Sequence, residues 1–461
     1  MTEKKKSGFQ LPHVYILLMF VMLIVVVLSW FIPSGEYATV EGSTAIDPTQ
    51  FTFLDNVDAI GFFDFFKAIP TGITEGISII VSVLMVTGAL AIYESSGAIG
   101  IGIHKILDIS KGKENIVVAV LTLIFAILGT IGFGEGGLPF IPLAVSVVMA
   151  LGYDRMAGMA TAQLGFAAGF TSGVFNLFTT GVSQTLVGLP MFSAWQFRTV
   201  MFVAFYIAAV LYLLKYCKKI KKNPAASIVK EEYMLARSTE AEDTEKVKMT
   251  WKNKITLIVL GFAFVFQAFG TLKLGWGLID IAAFYIVIAI IGAIINGISP
   301  NKACMVFAKG AANLLPACLT IGMARAVYVL MSDAKIIDTL IKYLSDFLQG
   351  KESFTIILIV YLAVIVFNFF VVSGSGKAMI LMPILGPLAT LTGINQQAMV
   401  VVFQLGDGFT NYLFPTSGAL VAGLSMCDVS WESWFKFAWK LFAFWIILGL
   451  GFGVLAQMIG I

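Results

Sequence analysis

The sequence predicts an all-α polytopic membrane protein with two inverted repeats, each holding a re-entrant hairpin and a broken transmembrane helix. Three observations lead there. First, of 461 residues 59% are hydrophobic and 12% charged, about half the roughly 25% charged residues usual in soluble domains. Mean hydropathy is +0.92, so lipid is the solvent for most of the chain. Second, the basic residues collect in a few connecting segments, which orients the spans. Third, glycine-rich motifs recur in the same order in both halves. This composition excludes a cytosolic enzyme, a secreted disulfide scaffold and a nucleic-acid binder. Cys217, Cys304, Cys318 and Cys427 show neither paired nor metal-ligand spacing. His13 and His104 are too few for a histidine metal site, and no cofactor is expected.

Residues 1–33 read as a retained first span. Lys4, Lys5 and Lys6 precede an apolar run over 14–32, longer than the roughly 7–15 residues of a signal core. Further apolar stretches fall at 77–97, 116–150, 157–190, 197–216, 254–272, 277–297, 311–331, 354–391, 395–425 and 435–458. A crossing helix needs about 20 residues. The stretches 116–150 and 354–391 are too long for one crossing, too short for two, and broken by glycine. Each is predicted to be a hairpin returning to its side of entry.

Charge sets the sides. Segment 33–66 carries Glu36, Glu41, Asp47, Asp55, Asp58 and Asp64 with no Lys or Arg, and is placed outside. Segment 99–114 carries Lys105, Lys111 and Lys113, and is placed in the cytoplasm with the N-terminus. Linker 217–253, rich in lysine at both ends and mixed in charge at its centre, joins them as a tether. It divides a first repeat, 34–216, from a second half, 254–461. By this pattern hairpin 116–150 enters from the cytoplasm and hairpin 354–391 from outside.

The two halves echo each other. Gly112-Lys113-Glu114-Asn115 precedes the first hairpin, and Gly350-Lys351-Glu352-Ser353 the second. The tips read Gly132-Phe133-Gly134-Glu135-Gly136-Gly137 and Ser373-Gly374-Ser375-Gly376-Lys377. Pro139 and Pro142 follow the first tip, Pro383 and Pro387 the second. Gln163-Leu164-Gly165 then matches Gln404-Leu405-Gly406, and Gly169-Phe170-Thr171-Ser172 matches Gly408-Phe409-Thr410-Asn411. Glycine, proline and small polar residues at mid-span break helical bonding in 157–190 and 395–425. Such backbone is tolerated only inside protein or along a cavity. Inverted repeats with broken helices point to a secondary transporter working by alternating access.

Few ionisable residues lie deep in the spans: Glu135 and Lys377 at the tips, Asp407 at a break, and Arg325 within 311–331. Each costs about 2.5–3.5 kcal/mol or more at the bilayer centre unless paired or hydrated. They are expected to face a wet cavity or each other, as Glu135 with Arg325 or Lys377 with Asp407. Two acids and one or two bases suit a basic amino acid better than a dicarboxylate. A small charged organic solute and the lipid bilayer are the expected partners, with Na+ or H+ as possible coupling ion. A protease reading of Ser373-Gly374-Ser375-Gly376 or Gly406-Asp407 lacks a placed histidine base and a second placed aspartate; Lys377 keeps a Ser–Lys pair formally open, but an enzyme is not expected.

The Gly-Phe-Gly-Glu-Gly-Gly tip, the Ser-Gly-Ser-Gly-Lys tip and the Gln-Leu-Gly-Asp-Gly-Phe-Thr-Asn break resemble those of the YfcC family, over about 10–460. That family sits with the C4-dicarboxylate anaerobic carriers in the wider ion-transporter superfamily. The resemblance implies a homodimeric carrier of the bacterial cytoplasmic membrane with an elevator-like transport part. Its relatives include arginine/ornithine antiporters and dicarboxylate carriers, so arginine/ornithine-type exchange is the first expectation and dicarboxylate transport the alternative. It implies a site between both tips and both breaks: Glu135 and Gly136; Ser373, Ser375 and Lys377; Thr171, Ser172 and Asn176; Asp407, Thr410 and Asn411. Arg325 joins this set from the charge argument. Position 136 is glycine where relatives carry a second acid.

Overall fold

Long apolar runs become helices here because hydrocarbon offers no partner to a free peptide group. The computed structural model describes residues 14–39, 46–55, 57, 59–99, 101, 112–132, 134, 137–229 and 249–461. It opens with α1 (Val14–Phe31) and an antiparallel pair, β1 (Gly35–Thr39) and β2 (Ile46–Phe53), in which Tyr37 lies opposite Phe51. Next come α2 (Phe62–Glu75) and α3 (Ile77–Ser95). Then follow α4 (Glu114–Thr130), α5 (Phe140–Ala150), α6 (Arg155–Ser172), a π-helical turn at Leu177–Gly181, and α7 (Val182–Leu186). The long α8 (Trp195–Lys222) ends the first half.

The second half begins with α9 (Trp251–Lys273), α10 (Leu278–Asn296), α11 (Pro300–Ala312), α12 (Leu315–Asp333) and α13 (Ile337–Leu348). It continues through α14 (Ser353–Phe370), α15 (Gly374–Leu391), α16 (Gln396–Gly408) and a 3-10 turn at Phe409–Tyr412. It closes with α17 (Gly418–Met426) and α18 (Trp431–Met458). Among the described residues six helices are long and apolar enough to cross a membrane: α3, α8, α10, α14, α15 and α18, so stretch 354–391, read from its length as too short for two crossings, holds two helices of crossing length. Among the described residues the protein is an all-helical, multi-pass membrane protein in all but one β-hairpin.

Four elements were not legible as apolar runs: the β-hairpin, α2, α11 and α13. The acidic segment after α1 is tied to the second half. Ser34 Oγ donates to the Ala334 carbonyl at 2.8 Å, Gly35 N to the Lys335 carbonyl at 2.9 Å, and Tyr37 N to Asp338 Oδ2 at 3.0 Å. The linker likewise starts later than its charge suggests. Helix α8 runs on to Lys222, and Ser227 Oγ and Tyr216 Oη both donate to Asp154 Oδ2, at 2.6 and 2.5 Å. Residues 230–248, the centre of that linker, lie outside the described residues.

The 28 residues of α8, at 1.5 Å each, span roughly 40 Å and so separate two ends of the molecule. At one end Lys221 pairs with Glu114 at the start of α4, 3.5 Å away. At the other, Ser193 accepts from Gln397 at the start of α16, at 2.7 Å.

Helices α6 and α16 form the centre and are buried along almost their whole length. Small residues let backbones approach there, as packing in lipid requires. A Cβ at Gly169 would stand 1.9 Å from the Ala126 carbonyl oxygen of α4. Helices α4, α5 and α8 pack around α6, and α14, α15 and α18 around α16. A second group joins α2 to α12 and α3 to both α10 and α11, with α1 also on α12.

Two predictions follow from this packing. Gly169→Ala should lower the melting temperature of the detergent-purified protein, an overpacking cost of about 1–3 kcal/mol. Gly261→Ala, inside α9 with nothing within 4 Å of its Cβ, should leave it level or slightly raised in the same thermal scan.

Burial raises the Asp154 carboxyl above its ordinary 3.8, against the lowering by its bonds from Ser227, Tyr216 and Ala157 N. The stability it contributes is therefore present below the unfolded value and lost as pH rises through the folded one. Asp154→Asn keeps an acceptor that does not ionise. Wild type should lose melting temperature relative to that variant as pH is raised from about 4 to about 7.

A candidate solute site between tips and breaks

Four interruptions converge. Helix α15 begins at Gly374, capped by Ser373 Oγ, which accepts from Gly376 N at 3.2 Å. Helix α17 begins at Gly418, capped by Ser417 Oγ, which accepts from Leu420 N at 3.4 Å. Between α4 and α5 the chain turns through Gly132, whose φ of +77° and closeness to Asn176 Oδ1 leave no room for a side chain. The fourth interruption is the turn between α6 and α7.

Side chains replace the helical hydrogen bonds lost at the breaks. Gln404 Nε2 donates to the Phe170 carbonyl at 2.7 Å, and its Oε1 accepts from Thr180 Oγ1 at 3.1 Å. Asn176 Oδ1 accepts from Phe178 N and Thr179 N at 3.1 and 3.3 Å. Asn368 Nδ2 donates to the Asp407 carbonyl at 3.1 Å and to Thr410 Oγ1 at 2.5 Å. Each break is thereby held open without leaving its backbone bare.

These pieces surround a cavity of about 520 Å³. Gly132, Gly134 and Leu138 line it from the first tip, and Ser373 to Gly376 from the second. Thr179, Asn411, Thr416 and Ser417 line it from the breaks, with Gln163 from α6. The facing wall comes from the second helix group: Ile79 of α3, Trp276 to Ile281 around the start of α10, and Ala324, Arg325 and Tyr328 of α12. Arg325 is the only ionised side chain among the described lining residues, and it makes no ion pair or hydrogen bond to a described residue. The first turns of α15 and α17 present backbone N–H groups at the same cavity, which favours an anionic group.

The site residues expected from sequence divide into two sets. Arg325, Ser373, Ser375 and Asn411 reach the cavity. Thr171, Ser172, Asn176, Lys377, Asp407 and Thr410 are buried behind it. Ser172 Oγ donates to the Gly169 carbonyl at 2.6 Å, and Thr171 packs against Gly408. Glu135 and Gly136 lie outside the described residues. Lys377 and Asp407 do not face a solute: they face each other. The ammonium is 2.5 Å from Asp407 Oδ1 in an ion pair, and both side chains are fully buried. Lys377 Nζ also donates to Asn368 Oδ1.

Sequence reasoning missed Asn368, whose signal was one amide in the otherwise apolar helix α14. It also read Gln163 and Gln404 only as repeat markers, although one lines the cavity and the other braces a break. Of the aromatic wall, which includes Phe170, Phe178, Phe370 and Tyr412, only Phe170 stood in a repeated motif, and there its ring was not singled out.

In a multi-pass membrane protein, interrupted helices that enclose a solute-sized cavity are the architecture a transporter requires. The chain belongs to the DcuC family, the C4-dicarboxylate anaerobic carriers, which it matches over residues 11–458. It is 28% identical, over all of its own length and 99% of the other's, to the Escherichia coli K12 protein named "Putative basic amino acid antiporter YfcC". It is 25% identical, over 97% of both chains, to a Haemophilus influenzae protein named only as uncharacterized. Among solved structures it resembles the YdaH transporter of Alcanivorax borkumensis (16% identity, 97% and 98% covered, TM-score 0.43). It also resembles MtrF of Neisseria gonorrhoeae (17%, 97% and 95%, 0.42). At such scores neither likeness decides a fold or a substrate.

Because both tips border one cavity, cysteines placed on them should be bridged. In a variant lacking the native cysteines, Gly134→Cys with Ser375→Cys should cross-link with a short bismaleimide. The cross-link should slow when a solute is bound. Two thiols that never bridge in any condition would separate the tips.

Proposed function

We propose that this carrier exchanges basic amino acids of the arginine/ornithine type across the bacterial cytoplasmic membrane. The observation that carries the reading is the division of charge at the cavity. Lys377 and Asp407 cancel each other behind it, while Arg325 stands free on its wall. One guanidinium and two capped helix starts suit the single α-carboxylate of an amino acid. The rings of Phe170, Phe178, Tyr328 and Tyr412 offer faces to its cationic end. Glu135, in the tip between the lining residues Gly134 and Leu138, is assigned to that same end. The name of the Escherichia coli relative supports this reading.

A second reading, a C4-dicarboxylate carrier, is favoured by Arg325 being the only ionised group on the described lining. The family name supports it. In both, the group around α6 and α16 moves as the elevator part against the wall of α3, α10 and α12, because the cavity lies on the seam between them. The expected assembly is a homodimer.

Counterflow in proteoliposomes tests the choice. Vesicles loaded with unlabelled ornithine should accumulate labelled arginine, and vesicles loaded with succinate should not accumulate labelled succinate. The reverse pattern establishes the dicarboxylate reading. Arg325→Gln should reduce exchange by about tenfold or more in either case, since losing a charged contact worth about 1.4 kcal/mol is a factor of ten. Near-normal exchange in that variant would remove Arg325 from the site.

A further inference from the structure

Lysine at position 377 is a costly residue for helix packing alone. It sits in the first turn of α15, where the helix dipole repels a cation. It is fully buried at a depth where a charge is costly unless neutralised. What holds it is a pair of side-chain oxygens. Asp407 Oδ1 is 2.5 Å away, and Asn368 Oδ1 accepts directly from Nζ. Both oxygens are aimed by a second layer of bonds. Asn368 Nδ2 donates to the Asp407 carbonyl, to Thr410 Oγ1, and to Asn411 Oδ1 at 3.0 Å. Asn411 Nδ2 donates to Asp407 Oδ2 at 3.4 Å. A carboxylate and an amide oxygen fixed in place at a helix break are the donors that a small hard cation takes.

We propose that the Lys377 ammonium is a tethered cation occupying a monovalent-cation site formed by Asp407, Asn368 and the α16 break. The protein thus brings its own counter-charge, and this site binds no Na+ in the wild-type chain. The placement also gives the pair a task. Lys377 lies on the turn directly behind Ser373 and Ser375, which line the cavity. The pair therefore ties the second tip to the break of α16, and Gly374, whose Cβ would meet Asp407 Oδ2 at 3.3 Å, allows that approach. Tip and break move as one electrically neutral unit, and no coupling ion enters or leaves there. For transport this deepens the exchange reading and rests on it: counterflow should need no Na+.

Removing the tether should expose the site. Lys377→Ala leaves Asp407 uncompensated among fixed oxygens, so a mobile cation should take the place of the ammonium. The test is the thermal stability of the full-length purified protein at constant ionic strength, in NaCl against N-methyl-D-glucamine chloride. Wild type should melt at the same temperature in both. Lys377→Ala should rise by about 3 °C or more as Na+ is added, saturably. Ethylammonium, which supplies the missing group, should act likewise. Lys377→Met/Asp407→Asn should lose both responses.

A saturable Na+ stabilisation of wild type overturns the proposal. So does a folded Lys377→Ala that ignores both cations. If Lys377→Ala does not fold, the wild type and the neutral double variant still decide, since both are expected to melt without any Na+ response. In proteoliposomes, wild-type exchange should be unchanged when Na+ is replaced. Absence of exchange for every solute tried, with the thermal pattern intact, would count against the substrate reading and not against the site.

Discussion

A peptide group inside a bilayer has no water to turn to, and the rest of this structure depends on that constraint. A helix interrupted at membrane depth has to be enclosed by protein, and its freed N–H and carbonyl groups need partners. Here the partners are amide side chains. Gln404 braces the break after α6, Asn176 receives the amides of Phe178 and Thr179, and Asn368 ties down the break after α16. This demand accounts for the burial of α6 and α16, and for the glycines that let α4 approach α6 closely. The cavity is what remains where the four interruptions face the wall of α3, α10 and α12.

Electrostatics follows the same economy. Two of the charges placed deep in the chain neutralise each other, and their burial is tolerable because oxygens and amides orient both. Arg325 is left to confront the cavity. A buried pair and a free cation give different chemistry from three independent charges, even though the composition is identical. The pair holds architecture together, and the free cation stands on the cavity wall.

Much of this was legible residue by residue. The breaks near Ser172 and Gly408 were marked by runs of glycine and small polar residues, and the tips by Gly132 to Gly137 and Ser373 to Gly376. The family resemblance rested on those same motifs. The β-hairpin, α2, α11 and α13 were not legible, because amphipathic or short elements leave little trace in hydropathy. The roles of Asn368, Gln163 and Gln404 were missed for another reason. A single amide in an apolar span has the same appearance whether it braces backbone, lines a cavity or holds a lysine.

The sequence by itself determined that this protein lives in lipid and where its helices break. Those properties follow from composition and local spacing, which hydrocarbon and helix geometry read directly. Only the tertiary structure decided that Lys377 faces Asp407, that Arg325 faces the cavity, and that Thr171, Asn176 and Thr410 stand behind it. Pairing depends on distances between residues far apart in the chain, and a charge in low dielectric takes its meaning from the group it meets.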